Sequence, residues 1–466
     1  MNFGLLVFAV LSFRYFLRRF IEWQQRDGDR TRVGPSERQW IAIGFALLGW
    51  VALYGVQVIA NTPDLGVLGF VFLALGIVLR IRLDAAPRLA SFASLGAVLG
   101  LGYLCKTILF PLALVILPLA WLAGPGLKRR LMAGVVSVVA LVAVAGPFVF
   151  AVSRQMQMFT IGESGRNNYI WYVEPRLPDH DWAGPTSDGR MPTHSMRRIS
   201  TMPAAFEFDA PIGGTYPGWT DPAYWYVGLK PRFMPGRLLT RLAGSSVAYW
   251  QEFGLTTIGG WLVLVVISGD IAGSWRRLTR GGVLLIPALA GLAMYGCIYD
   301  FPGRFEMRYI APFVVLAPLA LAATVRMPAS WGQRVFRGVA VAAIIVFAQA
   351  VADRARDDVR VLTQTGNEPW AVAEGLRAAG LQEGDRVAHL GDRGYYWARL
   401  LRVTIVAEIP DAGQWWAQSD EARRALIERL RKAGIRAIVQ RPGLPMPAGH
   451  PEWQHLPGDA YLLVLG

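Results

Sequence analysis

The sequence predicts a polytopic α-helical membrane protein of about ten spans, with a long ordered outer loop and a small C-terminal α/β domain. Three observations predict it. Hydrophobic residues make up 53% of the 466 residues and charged residues 17%, against about 25% charged in an average soluble domain. The apolar residues come in blocks of roughly 20, the length that crosses a hydrocarbon core of about 30 Å. The arginines cluster in short stretches between those blocks, which is the positive-inside distribution. That distribution accounts for the formal charge of +14, so no nucleic-acid partner is read from it. Cys105 and Cys297 both fall in apolar blocks and imply no disulfide framework.

Taken in order, the chain divides into helices over 1–152, an outer loop region over 153–253, helices over 254–352 and a soluble domain over 353–466. The first apolar block, 2–17, carries Arg14 near its end and is followed by Arg18, Arg19, Arg26, Arg30, Arg32 and Arg38, with no basic residue before it. Its N-terminus is therefore expected outside and the Arg-rich loop in the cytoplasm. Further spans are expected at 40–60, 65–83, 89–104, 108–122 and 131–152, then at 255–271, 282–298, 310–325 and 335–351. The turn Asn61-Thr62-Pro63-Asp64 falls outside. Arg80, Arg82 and Arg88, then Lys128, Arg129 and Arg130, fall inside. The alternation places 153–253, the loop 299–309 and the domain after Asp353 on the outer, periplasmic side of a bacterial inner membrane.

The 153–253 stretch is too long for a simple link. Its aromatic residues, among them Tyr169, Trp171, Tyr172 and Trp182, are not the composition of a disordered tether. After Asp353 the pattern turns soluble: helices over 369–379 and 419–433, and strands over 386–390, 403–409, 435–440 and 460–465. Alternating strands and helices predict a largely parallel sheet. This domain is read as a support or acceptor-docking module.

Candidate chemistry converges on the outer face. Tyr216, Trp219, Asp221, Tyr224, Trp225 and Tyr226 alternate with turn residues; such a run can form a rigid wall against a sugar ring. The plainer reading is interfacial anchoring of aromatics. Lys106, at the outer end of a span, can hold a phosphate as a point charge, or snorkel to the headgroups. Arg304 and Arg308, beside Tyr309, share one face if helical and suit a pyrophosphate or lipid phosphate. Their alternative is a salt bridge to Glu306 or Asp300. The acid–base candidates are Asp64, Glu163, Asp179, Asp181, Asp209, Asp221, His180 and His194. Asp64 near the membrane is a plausible base, and a helix N-cap is the plainer role. Asp179-His180-Asp181 lacks a spaced third ligand, so a divalent metal finds no support.

Three stretches carry a resemblance: Thr62-Pro63-Asp64-Leu65 opening a span, Gly100 to Lys106 closing one, and Glu306-Met307-Arg308-Tyr309-Ile310-Ala311-Pro312 at a late outer loop. In these the chain resembles the GT-C membrane glycosyltransferases, of the dolichyl-phosphate-mannose mannosyltransferase type. The resemblance implies transfer of a hexosyl or pentosyl group from a polyprenyl-phosphate donor to a glycan, lipid or protein acceptor outside. By the same resemblance Lys106 and Arg308 contact donor phosphate. The family's key acid lies in a long outer loop behind its first span, and no such loop precedes Arg14. The expectation is therefore that the N-terminal spans are missing from this sequence or that activity is lost. The competing class is a non-catalytic envelope protein: a pseudoenzyme, a scaffold, or a lipid or polysaccharide transporter. A transporter should carry ionisable groups inside its spans, and these show almost none.

Overall fold

In a computed structural model, residues 2–26, 31–56, 62–155, 158–174, 196–208, 231–299, 307–364, 368–391, 396–447 and 449–465 are described. The chain forms two units: Met1–Glu174 with Pro231–Ala355, and Pro175–Lys230 with Arg356–Gly466.

The first unit is helical. It begins with α1 (Asn2–Gln25), β1 (Arg32–Val33), and α2 (Glu37–Trp50), which runs on as a π-helical turn over Val51–Val56. Then come α3 (Asp64–Leu83), α4 (Leu89–Cys105), α5 (Leu109–Trp121), α6 (Gly126–Gln155) and α7 (Glu163–Tyr172). After β2 (Met196–Thr201) and β3 (Ala204–Phe208), which belong to the second unit, α8 (Pro235–Tyr249) passes through a π-helical stretch, Trp250–Gly259, into α9 (Gly260–Ser268). The unit closes with α10 (Ile271–Ile298), α11 (Met307–Ala322), β4 (Met327–Pro328) and α12 (Gly332–Gln364). Among the described residues six helices are long and apolar enough to cross a membrane, and α4, α5 and α11 are shorter apolar helices. This is a polytopic helical membrane protein.

α3 is the central helix, its apolar residues mostly buried, whereas those of α6 are mostly not. The valines of α6 (Val135, Val139, Val142) face outward, as a lipid-facing helix requires. Close helix approach falls where side chains vanish. A Cβ on Gly69 or Gly76 of α3 would strike Phe8 or Tyr15 of α1, and one on Gly96 of α4 would lie 1.9 Å from the carbonyl oxygen of Ser137 on α6. This is small-residue packing, the means by which membrane helices bring their backbones together.

Several boundaries differ from the sequence expectation: α10 starts at Ile271 and α12 runs to Gln364, past the expected domain start at 353, and two further differences have a visible cause. α1 continues past its apolar block to Gln25, because Glu22 pairs within the helix with Arg19 at 2.6 Å and Arg18 at 3.3 Å. The span expected to start at 255 is the second half of a helix that starts at Pro235. Its first half hides polar groups by bonding to backbone carbonyls: Ser245 Oγ donates across to the Gly296 carbonyl of α10 and Ser246 Oγ to that of Leu242 in its own helix. A hydropathy average cannot register that.

The basic loops have a structural task beyond topology. Arg26 donates to the Leu83 carbonyl, Arg82 to Leu119 at 2.9 Å, Arg130 to Gly124 at 3.0 Å, Arg32 to Ser268 at 2.9 Å and Arg277 to Thr324 at 2.6 Å. Each carbonyl lies at or just beyond a helix C-terminus, where acceptors lack intrahelical partners and the dipole favours a cation. β1 and β4 pair antiparallel, joining two loops that the arginine pattern puts on one side.

The second unit is an α/β domain. It comprises β2, β3, α13 (Glu368–Ala378), β5 (Arg386–Leu390), α14 (Tyr396–Leu401), β6 (Thr404–Ile409), α15 (Ala412–Trp416), α16 (Asp420–Lys432), β7 (Ala437–Gln440), β8 (Gln454–Leu456) and β9 (Ala460–Val464). Ser419 caps α16 by accepting from the Ala422 N–H at 3.3 Å, and Gly434 leaves it with φ +74°, as the sequence pattern required. The seven strands lie in the order β2-β3-β6-β5-β7-β9-β8. Only β6, β5 and β7 are parallel; the flanking pairs are antiparallel. The expectation of a largely parallel sheet is corrected: the hairpin β2–β3, drawn from the long loop segment, adds antiparallel strands beside β6. Ala205 of that hairpin is fully buried with Val406 and Ala407, which is why the hairpin belongs to this core.

Candidate functional site

Three connections of the helical unit meet at one carboxylate. Asp64 is the first residue of α3 and only 1% exposed. Pro63, not Asp64, occupies the N-cap, and no side chain caps the helix there. The N-cap role expected for Asp64 is thereby replaced by an acidic first-turn position, which the helix dipole favours. Its Oδ1 accepts from Lys106 Nζ at 2.5 Å. Its Oδ2 lies 3.9 Å from Arg308 Nε.

The three residues arrive by different routes. Lys106 terminates α4, its N–H bonded to the Gly102 carbonyl, so the ammonium stands at a helix C-terminus. Its side chain, 22% exposed, is committed to Asp64, which displaces the snorkelling alternative. Arg308 sits in the first turn of α11. The closeness of α3 and α4 at this level needs Gly66, because a Cβ there would lie 2.6 Å from Cys105 Sγ.

Aromatic rings line the cluster. Tyr309 lies under both cations: Lys106 Nζ is 4.3 Å and Arg308 Cζ 5.0 Å from its ring centre, a geometry in which a ring face attracts positive charge. Arg308 also donates to the Tyr309 hydroxyl at 3.3 Å. Tyr295 stacks on Tyr309 at 5.5 Å, Tyr299 meets Tyr309 at 4.8 Å, and Tyr172 of α7 meets Tyr299 at 5.2 Å. Asn168 of α7 donates to the Tyr299 hydroxyl at 3.1 Å. α7 is itself pinned, since the Tyr169 hydroxyl donates to the Arg232 carbonyl and accepts from the Met234 N–H, each at 2.9 Å. The buried Glu174 accepts from the Arg232 N–H.

Asp64 Oδ2, Thr62 Oγ1 and Tyr295 Oη are buried and make no hydrogen bond among the described residues. Buried polar atoms are nearly always bonded, and leaving one unmet costs about 1–3 kcal/mol. Two cations, a carboxylate and hydroxyls with spare bonding capacity form a site suited to a polar anion.

The sequence-predicted residues divide as follows. Asp64, Lys106, Arg308 and Tyr309 are brought together within ion-pair or ring-contact distance. Arg304, Tyr216, Trp219, Asp221, Tyr224, Trp225 and Tyr226 lie outside the described residues, as do Asp179, His180, Asp181, His194, Asp209, Asp300, Glu306 and the side chain of Glu163. Among the described residues no group of His, Cys, Asp and Glu is placed to hold a metal ion. Tyr295 and Asn168 were missed by the sequence reading. Tyr295 could have been found from its spacing, four residues before Tyr299 at the end of one span, which puts both rings on one helix face.

No family model matches this chain, and no curated protein matches it. Among solved structures, a crystal structure of ArnT from Cupriavidus metallidurans bound to undecaprenyl phosphate is similar at TM-score 0.46 and 14% identity, over 99% of this chain and 84% of that chain. The likeness is one of outline alone.

Proposed function

We propose that this protein transfers a sugar from a polyprenyl-phosphate donor to an acceptor of the cell envelope, at the outer face of a bacterial inner membrane. The convergence of Lys106 and Arg308 on one buried carboxylate, with Tyr309 between them, is the observation that carries this reading. The orientation follows from the arginine-rich loops, which put the 153–253 segment and the C-terminal domain on the periplasmic side. The aromatic run 213–226 is then the wall for sugar or acceptor.

The chemistry follows from charge. In the transfer, the acceptor oxygen forms a bond to the sugar's anomeric carbon as the bond from that carbon to the phosphate oxygen breaks, and the acceptor hydroxyl's proton passes to the departing phosphate or to solvent. The donor phosphodiester carries one negative charge, and the departing polyprenyl phosphate carries up to two. Fixed cations at that phosphate therefore stabilise the transition state more than the ground state. Arg308 supplies a planar fork and Lys106 a point charge. Asp64 acts as the counter-ion that holds them in place, since its Oδ1 is engaged by Lys106 and the group is almost fully buried.

The test is binding of a polyprenyl phosphate to purified wild type, Arg308→Lys and Arg308→Ala, with transfer from a radiolabelled polyprenyl-phosphate sugar as second readout. Arg308→Ala should lose about 1.5–3 kcal/mol of binding, roughly ten- to a hundredfold, and Arg308→Lys less. Equal binding by all three, in folded protein, would overturn the reading.

A further inference from the structure

The same geometry assigns Asp64 a part in choosing between ligands. Its carboxylate is a fixed negative charge bonded to the very ammonium that an incoming phosphate would use. Lys106 Nζ is 2.5 Å from Asp64 Oδ1. An anion oxygen at hydrogen-bond distance from that Nζ therefore lies within about 6 Å of the carboxylate. Asp64 is 1% exposed and sits at the start of a helix that is itself buried, so it cannot swing into solvent to make way. Its second oxygen makes no hydrogen bond among the described residues and lies 3.9 Å from Arg308 Nε.

We infer that Asp64 is a specificity-determining residue whose fixed charge makes the site favour a singly charged lipid phosphodiester over a doubly charged lipid phosphomonoester. This rests on the transferase reading above, and it identifies what that site needs. The cations that help the phosphate leave also attract the product, a monoester carrying about −1.5 to −2 charge at neutral pH. Without an opposing charge they would retain it and slow turnover. Repulsion by one fixed carboxylate scales with ligand charge, so it weakens the monoester more than the diester. Across about 6 Å, at an effective dielectric between about 20 and the 80 of water, one unit of ligand charge changes affinity by about threefold to a hundredfold, on the order of tenfold in the middle of that range. Removing Asp64 takes that repulsion away whatever other charges surround the site.

The experiment uses the full chain in an uncharged detergent at pH 8. It measures equilibrium binding of a farnesyl-length polyprenyl phosphate and of its methyl ester, which differ by one charge and one methyl group. Asp64→Asn should raise the monoester-to-methyl-ester affinity ratio by on the order of tenfold and strengthen product inhibition of transfer. A residue that merely positions Lys106 would weaken both ligands together, and an unchanged or lowered ratio would overturn the inference. Asp64→Asn leaves Lys106 without its partner, so the comparison is repeated on Lys106→Gln with and without Asp64→Asn. That pair ends in two neutral side chains, and the ratio should again rise. Wild type that binds neither ligand would remove the transferase site itself; wild type that binds both, with an unmoved ratio in Asp64→Asn, would remove only the assignment of Asp64.

Discussion

Lys106 and Asp64 illustrate how a buried ion pair constrains a membrane protein at the scale of one residue. Neither partner can reach solvent freely, at 22% and 1% exposure, so each depends on the other. Removing one end of such a pair leaves an uncompensated charge and costs about 3–5 kcal/mol, whereas replacing both with apolar groups can be nearly neutral. Lys106→Met is accordingly expected to lower the melting temperature of the purified protein sharply. The double variant Lys106→Met with Asp64→Leu should recover most of that loss while phosphate binding stays weakened. A double variant no more stable than Lys106→Met would show that the pair is not the stabilising unit. Asp270 offers a second test, on a loop outside the spans. Burial pushes its carboxyl up, but the hydrogen bond from Arg277 at 2.6 Å, the charges of Arg277 and Arg32, and the Gly273 N–H together hold it below the usual carboxylate range. A carboxyl depressed in the folded state adds stability above its unfolded pKa, near 4, and loses it as pH falls through the folded value. The melting-temperature gap between wild type and Asp270→Asn should therefore be full at pH 6 and shrink below about pH 4. A gap independent of pH would exclude the ion pair as its source.

Helices in this protein approach one another where glycine permits it, and that sets predictions at the scale of elements. At Gly96 the obstacle to a side chain is the backbone of α6, with a Cβ placed 1.9 Å from the Ser137 carbonyl oxygen. No rotamer change relieves such a contact, so α4 and α6 must separate. Gly96→Val is expected to yield little monodisperse protein on size-exclusion chromatography. Gly4→Val, where nothing lies within 4 Å, should behave as wild type. Equal profiles would mean that the α4–α6 contact carries no stability. Lys106 leaves the end of the same helix, so a milder change at Gly100, whose Cβ would lie 3.0 Å from the Leu141 carbonyl oxygen, should weaken phosphate binding through the tilt of α4.

At the scale of the whole chain, the second unit is assembled from two stretches far apart in sequence. Phe206 and Glu207 of β3 register against Glu408 and Ala407 of β6, and Arg429 of α16 donates to the Ile199 carbonyl at 2.8 Å. The stretch after β3, which carries the aromatic run, therefore starts from a strand held in the domain's sheet. Ala205→Asp would bury an unpaired carboxylate against β6. Hydrogen–deuterium exchange should then quicken in β6 and β3 and stay unchanged in β9, at the far side of the sheet. Unchanged exchange at β6 would mean that the hairpin is not part of the domain's cooperative core.

The membrane class, most of the membrane helices, and two helices and four strands of the C-terminal domain were legible in the sequence, because each is set by a local pattern; α7, α14, α15 and β8 were not. Apolar blocks of bilayer length, an Arg-rich loop or a Ser cap with a Gly stop state their meaning within a few residues. Lys106 and Arg308 were legible as cations in segments that the arginine pattern assigns to the outer side, with Tyr309 beside them. Their common partner was not. Asp64 is 42 residues from Lys106 and far from Arg308 in sequence, and no periodicity links the starts of α3 and α11 to the end of α4. The same holds for the hairpin β2–β3, whose place beside β6 depends on a buried Ala205 rather than on any turn signal. The sequence by itself determined the membrane class and where most apolar helices and domain strands fall. Only the tertiary structure decided that one buried carboxylate holds the cations of two separate helices. Pairing of buried charges is a matter of distance in space, and local sequence carries no record of it.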